Sequence, residues 1–514
     1  MTKKWYPRVF IILFCFFIVL HSFLILNLRL FPFVDLPNHL SVASIYKHSG
    51  ERTNRLDEFY SVDLSFHPNI FHPWFCSLPI FPSVEVGNKI YYLLYVILLP
   101  LSIYLIIKKL KGNEWFSLLS FLFLYNFNTH WGFVGFTFSI PIFFFLIYFT
   151  LRYIEKNTFL RAIPVSLLFI FLYTIHIITT LFALLSFTVI CFIHRKKSIT
   201  TFFKKLTVII PVCILITVWI VTSKNGSILH YLGEFYSSYS LKIFFQRIGK
   251  LFFLDNSFFV YWPIGFTISK ILLFSIVILF FIPVIGKLVE RFKSHPHSER
   301  EDNIGFYSVS LVSLLTLTFL CYFFLPPKIP GNTFLFERFA VFAFLVLLLM
   351  ISKTFKGKLS VFLPYIIFFF LIAHFALYAK YFYNFNIDSQ SFTEDLFPRD
   401  SKTKILAGII VESDFMGNPV YVHYQNYYIV WRNAPATTGI VDYKYRNISR
   451  KVSKKILPPY RHWFSRNKTY NGCYDNIDYL LVRGNIAKEY LKNFEPVRSR
   501  SRWKLYKNIK IRSG

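Results

Sequence analysis

The chain has 514 residues, of which 55% are hydrophobic, 21% are aromatic and only 16% are charged. Because an ordinary soluble domain has about 25% charged residues, this composition excludes a soluble enzyme, a disordered chain, a collagen and a coiled coil, and it favours a multi-pass membrane protein. The 57 Lys and Arg against 26 Asp and Glu give a net charge of +31, which in so apolar a chain indicates basic loops beside anionic lipid headgroups and not a nucleic-acid partner.

The first predicted element is a membrane helix at the N-terminus. A basic start, Met-Thr-Lys-Lys-Trp-Tyr-Pro-Arg, is followed by an apolar run from Val9 to Leu28. This run is longer than the apolar core of a typical signal peptide, and no small-residue cleavage site follows it, so it predicts a retained span. Its basic flank predicts that the N-terminus lies in the cytoplasm.

Hydropathy predicts ten further spans, and the charges of the loops support that count. Five short connections on the side of the N-terminus carry Lys or Arg, whereas the alternate loops are poorer in charge, apart from the long one at 224–265. Because cytoplasmic loops carry the excess of Lys and Arg, the pattern supports eleven spans, and an odd count places the C-terminus outside. The ten spans are predicted at 86–108, 114–128, 132–152, 158–174, 176–193, 205–223, 266–288, 304–325, 336–352 and 358–379.

Three long segments are therefore predicted outside the membrane, at 29–85, 224–265 and 380–514. The first contains two predicted interfacial helices, near 36–48 and 69–82. The last, called the tail, is long enough to bury its own core. Its strand-like patterns are Ile405–Val411, Pro419–Val430, Ile477–Gly484 and Trp503–Tyr506, and its helical stretch is Ile486–Phe494.

The predicted fold is a polytopic α-helical membrane domain at 1–379, followed by a small α/β extracytoplasmic domain at 380–514.

The first candidate site directly follows the first predicted span. Asp35 and His39 are one helical turn apart at the start of the predicted helix 36–48. In the structural interpretation, Asp35 caps this helix and Pro37 occupies its first turn. In the functional interpretation, a carboxylate and an imidazole at the membrane boundary form a pair suited to taking a proton from a hydroxyl. The sequence leaves both interpretations open.

A second candidate is the predicted outer turn that contains His130 and Trp131. Its structural interpretation is a capped helical hairpin with Trp131 as an interfacial anchor. A third is His176, at the outer turn between the fifth and sixth predicted spans, although a lone histidine is more often structural.

The fourth candidate is Glu337-Arg338, at the mouth of the tenth predicted span and shortly after Lys328. Arg338 either forms a salt bridge, or extends along the apolar surface to reach water, or holds a phosphate.

Motifs of other catalytic classes are absent from the sequence. It contains no GxxxxGK[ST], HExxH or GxSxG and no cysteine zinc cluster. Charged residues are nearly absent from the middle of the predicted spans, which argues against an ion-coupled carrier. Cys76 and Cys473 lie outside the apolar runs, and a disulfide between them is open but not required.

The order of these features resembles the GT-C superfamily of integral-membrane glycosyltransferases. An acidic residue follows the first span, a long first loop and many further spans come next, and an outer domain ends the chain. More narrowly, Val34–Leu40, His130–Phe133 and Asp478–Gly484 are similar to motifs of a bacterial GT-C-like group. The architectural resemblance covers nearly the whole chain, whereas the motifs are short. Many GT-C enzymes have a second acidic motif in a later outer loop, and only Glu234 or Asp255 is available for it here, which leaves a divalent metal open.

The resemblance implies an enzyme of the bacterial cytoplasmic membrane. It would transfer a sugar from a polyprenyl-phosphate donor to a glycan or lipid acceptor on the outer face. It implies that Asp35 is the catalytic carboxylate, with His39 beside it. The predicted substrate-binding residues are His130, Trp131, His176, Lys328, Glu337 and Arg338, of which His130, Lys328 and Arg338 are available to stabilise a leaving phosphate.

Two other classes of function remain open at this point. One is a transporter or flippase for lipid-linked glycans, which needs a charged path through the bilayer that the sequence hardly offers. The other is a non-catalytic assembly factor for envelope glycans, whose outer domain binds a partner.

The tail suggests a further hypothesis. Basic residues at 446–455 lie between Tyr443 and Tyr445 on one side and Tyr460 on the other, and residues 421–428 are rich in tyrosine. Aromatic faces stack on sugar rings, and cations attract phosphates. The tail is therefore predicted to help hold a glycan or lipid-phosphate substrate.

Overall fold

The computed structural model describes most of the chain, and the predicted span 266–288 lies outside the described residues. The described residues are 6–51, 53–63, 65–195, 198–222, 235–236, 239–252, 302–329, 332–354, 362–399, 403–438, 448–453, 456, 474 and 476–511.

Helices dominate the described residues. In chain order they are α1 (Tyr6–Asn27), α2 (Leu36–His48), α3 (Leu56–Phe59), α4 (Phe71–Ser77), α5 (Val84–Lys109), α6 (Phe127–His130), α7 (Val134–Glu155), α8 (Phe159–Ile175), α9 (Ile177–Ile193), α10 (Ile199–Leu206), α11 (Ile210–Thr222), α12 (Leu241–Phe252), α13 (Asp302–Phe324), α14 (Ala340–Thr354), α15 (Leu363–Asp388) and α16 (Tyr427–Arg432). The strands are β1 (Tyr60–Val62), β2 (Lys328–Ile329), β3 (Asn332–Thr333), β4 (Leu406–Ile410), β5 (Ile448–Arg450), β6 (Tyr479–Arg483), β7 (Phe494–Arg500) and β8 (Trp503–Asn508).

Six helical segments among the described residues are long and apolar enough to cross a membrane. They are α1, α5, α7, α13, α15 and the continuous segment Ile199–Thr222 that contains α10 and α11. Helices α8 and α9 are also apolar but have only 17 residues each, short of the roughly 20 that a bilayer core requires. The prediction of a multi-pass helical membrane protein is confirmed at this level, and the count of eleven spans stays a prediction.

One predicted span, 114–128, has a different local structure. It forms a 3₁₀ helix over Glu114–Phe123, followed by the single turn α6. The Asn113 side chain caps the start of the 3₁₀ helix, and the Asn126 side chain accepts a 2.8 Å hydrogen bond from Asn128 N. Asparagine side chains thus bind backbone groups at both ends, which competes with the hydrogen bonds of a continuous α-helix.

The chain forms two compact units. The helical unit comprises residues 1–25, 93–129 and 135–378, and the loop–tail unit comprises 26–92, 130–134 and 379–514. The predicted outer loop and the tail therefore fall in the same compact unit, together with the short turn at 130–134.

A four-stranded sheet organises the C-terminal part of the loop–tail unit, in the order β4-β6-β8-β7. Strand β4 is parallel to β6, whereas β8 is antiparallel to both β6 and β7. Strands β4, β6 and β8 confirm the predicted patterns at Ile405–Val411, Ile477–Gly484 and Trp503–Tyr506.

The prediction for Pro419–Val430 was wrong. This stretch contains a 3₁₀ turn, Tyr424–Asn426, and the start of α16 instead of a strand. Its polar residues are buried together with its apolar ones, so the alternation does not separate a solvent face from a core face. In Ile486–Phe494 the structure has only a 3₁₀ turn, Lys488–Leu491, and β7 begins at its end. The exposed residues of β7 gave no strand signal.

Buried aromatic side chains form the core of the tail. Tyr424, Tyr427, Phe392 and Trp503 are almost completely buried, and the rings of Phe392 and Trp503 are 4.4 Å apart between centroids. The first loop packs on this tail, because β1 pairs antiparallel with β5. Sequence-distant segments thus form the loop–tail unit together.

Candidate functional site

The turn at 130–134 holds the backbone of Asp35. Val34 N donates to the carbonyl of His130, and Asp35 N donates to the carbonyl of Trp131, both at 3.0 Å. These two bonds fix the entry to α2 at the point where the Asp35 side chain emerges. The predicted sites at Asp35 and at the His130–Trp131 turn are therefore one structure.

Gly132 makes this close approach possible. Its φ is +73°, in the left-handed region that favours glycine, and a Cβ at this position would lie 2.7 Å from Leu36 N and 2.9 Å from Asp35 N. No other residue fits between the turn and the start of α2 without moving one of them. The lack of space for a Cβ thus explains why the His130–Phe133 motif has a glycine at position 132, which the sequence alone did not show.

The side chain of Asp35 does not cap α2. Asp35 occupies the N-cap position with Pro37 in the first turn, as predicted, but it has helical φ and ψ and its side chain makes no capping hydrogen bond. The structural interpretation of this carboxylate was therefore wrong. Its side chain is 33% exposed, and Oδ1 lies 3.1 Å from Nε2 of His423.

His423 reaches Asp35 from the tail. It directly precedes the 3₁₀ turn Tyr424–Asn426, and its side chain is only 10% exposed. Sequence reasoning placed His423 among the tyrosines of a predicted substrate surface and did not pair it with Asp35. No local signal connects the two residues, because their separation along the chain leaves only the fold to bring them together.

Helix α2 is buried against the tail through its own polar residues. Asn38 Oδ1 accepts a 2.5 Å hydrogen bond from the amide of Asn426, and Ser44 Oγ donates to the carbonyl of Ile429 at 3.1 Å. The predicted helix at 36–48 is confirmed, but most of its residues are buried in protein, so its face is not free to lie in a membrane interface.

His39 lies one turn into the same segment, beside His72. Its backbone N donates to the carbonyl of Asp35 at 3.2 Å, and its ring lies edge-to-face with that of His72 at 5.8 Å between centroids. His72 is buried and bonds Asn88 Oδ1 at 3.0 Å, and burial lowers its pKa to about 4. The neighbouring Cys76 has a free, buried thiol, while Cys473 lies outside the described residues.

His130 and Trp131 are both buried. Burial lowers the pKa of His130 to about 3, an effect that the neighbouring Asn418 side chain only partly offsets. A neutral imidazole has no positive charge to offer a phosphate. Trp131 packs against Phe133 and is not the exposed interfacial anchor of the structural interpretation.

The remaining predicted site residues belong to the helical unit. His176 lies between α8 and α9 with an extended backbone, φ −162°, and its ring packs edge-to-face on Phe136 at 5.1 Å between centroids. Lys328 is exposed on the β2–β3 hairpin. Arg338 is buried, and its Nη2 donates to Thr333 O of the same hairpin at 2.9 Å.

Glu337 is also buried, and one of its carboxyl oxygens has no hydrogen-bond partner among the described residues. Sequence reasoning missed a nearby buried cation of the helical unit, Arg247. Its guanidinium donates to the carbonyls of Tyr322, Phe323 and Leu325 at the end of α13 and stacks on Phe336 at 3.8 Å. This cation stabilises a helix C-terminus.

No group of three or more His, Cys, Asp or Glu side chains in the described part of the chain is arranged to hold a metal ion. The divalent metal that the resemblance left open has no fitting set of donors there.

The tyrosines predicted to stack on a sugar are core residues. Tyr421, Tyr424, Tyr427 and Tyr428 are all buried, so their faces are not available to a ligand. Burial raises the pKa of Tyr421, whose hydroxyl donates to Asp388 Oδ2 at 2.5 Å. The tyrosine-rich part of that hypothesis was wrong, and three of the basic residues at 446–455, namely Arg446, Lys454 and Lys455, lie outside the described residues.

Comparison of the chain with protein-family models, with curated proteins and with solved structures finds no significant match.

Proposed function

We propose that this chain is a GT-C-like membrane glycosyltransferase in which Asp35 is the general base. The observation that carries the proposal is a partly exposed carboxylate, placed directly after the first membrane helix, that has no capping role and faces a histidine. The backbone around it is fixed on both sides, which is the preorganisation that a catalytic group requires.

The proposed reaction needs one proton acceptor and no nucleotide. An acceptor hydroxyl attacks C1 of the sugar, the bond from C1 to the phosphate oxygen breaks, and the electron pair leaves with the polyprenyl phosphate. The hydroxyl proton passes to Asp35 as the new C1–O bond forms, which is general-base catalysis. The neutral His130 offers no positive charge to the leaving phosphate.

The proposal includes a topology. Eleven spans, a cytoplasmic N-terminus and an extracytoplasmic tail place Asp35 on the outer face of the membrane. The spanning helices and the basic connections support this arrangement. A cysteine-accessibility or reporter-fusion assay at residue 450 should label it from outside, and labelling only from the cytoplasm would contradict the topology.

The function is tested with the full chain reconstituted in lipid nanodiscs. A panel of polyprenyl-phosphate hexoses and pentoses is supplied with polyprenyl and short glycan acceptors, and both the released polyprenyl phosphate and the glycosylated product are measured. We expect turnover of at least one donor and a loss of about 10³-fold in Asp35→Asn, within the range for a general base.

The matched control is Asp414→Asn, which changes an exposed tail carboxylate. It should retain full turnover. If no donor in the panel is turned over, or if Asp35→Asn retains turnover, the enzymatic proposal fails. In a parallel assay with the full chain in sealed vesicles, movement of an intact lipid-linked glycan across the membrane would favour the flippase class instead.

A further inference from the structure

We propose that His423 is the positioning residue for Asp35, so that the tail supplies a part of the active site. This inference rests on the proposed role of Asp35 as general base. The two side chains lie 3.1 Å apart, from His423 Nε2 to Asp35 Oδ1. An imidazole that carries its proton on Nε2 donates to Oδ1 and leaves Oδ2 directed to the acceptor hydroxyl.

His423 is held in place by the tail. Its carbonyl accepts a 3.0 Å hydrogen bond from Asn426 N, which closes the turn that presents the imidazole. The side chain of Asn426 then bonds Asn38, one turn into the helix that starts after Asp35. The same two segments are therefore joined twice, and the geometry between His423 and Asp35 is fixed by buried neighbours.

The stability of the loop–tail unit does not require this pair. A side-chain contact with a partly exposed carboxylate contributes little to stability. The start of α2 is already fixed by the backbone bonds to His130 and Trp131 and by the Asn38–Asn426 bond. What the imidazole adds is the orientation of a carboxylate that would otherwise rotate.

The proposed positioning role does not change the proton transfer of the reaction. The hydroxyl proton goes to Asp35 Oδ2, the electron pair of the broken C1–O bond goes to the phosphate, and His423 keeps its own proton. Removal of the His423 side chain should therefore lower kcat and leave the KM of the lipid donor unchanged, because no contact with the donor is removed. A tail that held the substrate itself would raise KM instead.

The test compares two substitutions in the full chain in nanodiscs, using the polyprenyl-phosphate sugar that the wild type turns over fastest. His423→Leu removes the donor, whereas His423→Gln keeps an amide N–H at a similar reach. We expect His423→Leu to lower kcat by about 10²-fold, as for a misplaced catalytic group, and His423→Gln to recover most of that loss.

The matched control is His67→Leu. His67 also faces an aspartate, with Nε2 at 2.8 Å from Asp63 Oδ2, but this pair is part of an exposed loop. Its kcat and KM should equal those of the wild type. If His423→Leu is misfolded, His423→Asn replaces it, because the shorter amide does not reach Oδ1.

A second readout does not depend on turnover. In protein labelled with ¹³C-aspartate, the infrared carboxylate band that disappears in Asp35→Asn belongs to Asp35. This band should shift in His423→Leu and return toward its wild-type position in His423→Gln. An unshifted band, an unchanged kcat in His423→Leu, or a rise in KM at constant kcat would overturn the positioning role.

The two proposals fail separately. Absence of turnover in the wild type rejects the enzymatic function, while the infrared bands still show whether His423 orients Asp35. Turnover in the wild type with no effect of His423→Leu rejects the positioning role alone.

Discussion

Asp35 of the loop–tail unit and Glu337 of the helical unit have the same sequence signal but opposite environments. Each is an acidic residue at the start of a helical segment, close to a basic or imidazole side chain. The Asp35 side chain is one-third exposed and faces a histidine, whereas Glu337 and the adjacent Arg338 are buried, with Arg338 bonded to a backbone carbonyl. Accessibility to a substrate, not residue type, separates a catalytic candidate from a structural residue.

The packing around Asp35 also differs from that around the Glu337-Arg338 pair. A glycine turn supports Asp35, and no side chain larger than hydrogen fits at its closest point. Arg338 instead bonds the β2–β3 hairpin and lies over the ring of Phe136 at 5.6 Å. One arrangement orients an accessible group, and the other fills the interior.

Among variants that leave Asp35 and His423 unchanged, the largest effect is expected for Gly132→Ala. The new Cβ would lie within 3 Å of two backbone nitrogens, so the start of α2 must shift, and a shift of about 1 Å at a catalytic group costs about 10²-fold in turnover. The measurement is turnover and melting temperature in nanodiscs.

Gly50→Ala separates the clash from backbone strain. Gly50 also has a positive φ, +85°, but a Cβ there meets nothing within 4 Å. Both variants incur the left-handed penalty of about 1–2 kcal/mol, so only Gly132→Ala should lose turnover. Equal turnover of the two variants would contradict the role of the turn.

A smaller effect is expected from the protonation of His130. Its folded pKa of about 3 lies below the unfolded value of 6.5, so the folded state binds the proton less well than the unfolded state. The contribution of the neutral His130 to the free energy of unfolding is present above pH 6.5 and is lost as the pH falls toward 3. At pH 5 the loss should be about 2 kcal/mol.

The measurement is the difference in melting temperature between wild type and His130→Gln at pH 7.5 and at pH 5. The wild type should lose more stability than the variant on acidification. An equal loss in both proteins would show that His130 does not titrate in this range.

Loss of the Asn38–Asn426 bond should lower the free energy of unfolding by about 1–3 kcal/mol in either single alanine variant, because each variant leaves the other buried amide without this partner. The double variant should cost less than the sum of the two single variants, and thermal unfolding of all four proteins measures this coupling. Additive costs would mean that the two side chains do not interact.

Among the predicted site residues, the smallest effect on turnover is expected for Glu337→Gln. The substitution conserves the shape of a buried side chain, so turnover should stay within about threefold of the wild type, although stability changes. A loss as large as that of Asp35→Asn would break the comparison and make Glu337 a functional residue.

The sequence by itself determined the membrane class, most of the helices and three of the four strands in the tail sheet. These follow from local patterns, because an apolar run of sufficient length or an alternating segment has few other ways to satisfy its backbone. The start of α2 at Leu36 and the presence of Pro37 in its first turn were likewise predictable. Asp35 also stood out from the sequence, as the acidic residue directly after the first span.

Only the tertiary structure decided what surrounds Asp35. The contact with His423 and the backbone bonds from the 130–134 turn join segments that are far apart along the chain. The close approach of one such segment to the start of α2 is also what requires a glycine at position 132. The burial of the tyrosines at 421–428 was not predictable either, because it also depends on segments that are distant along the chain. A one-dimensional pattern records the polarity of a side chain but not which distant segment covers it, and burial and pairing depend on that covering segment.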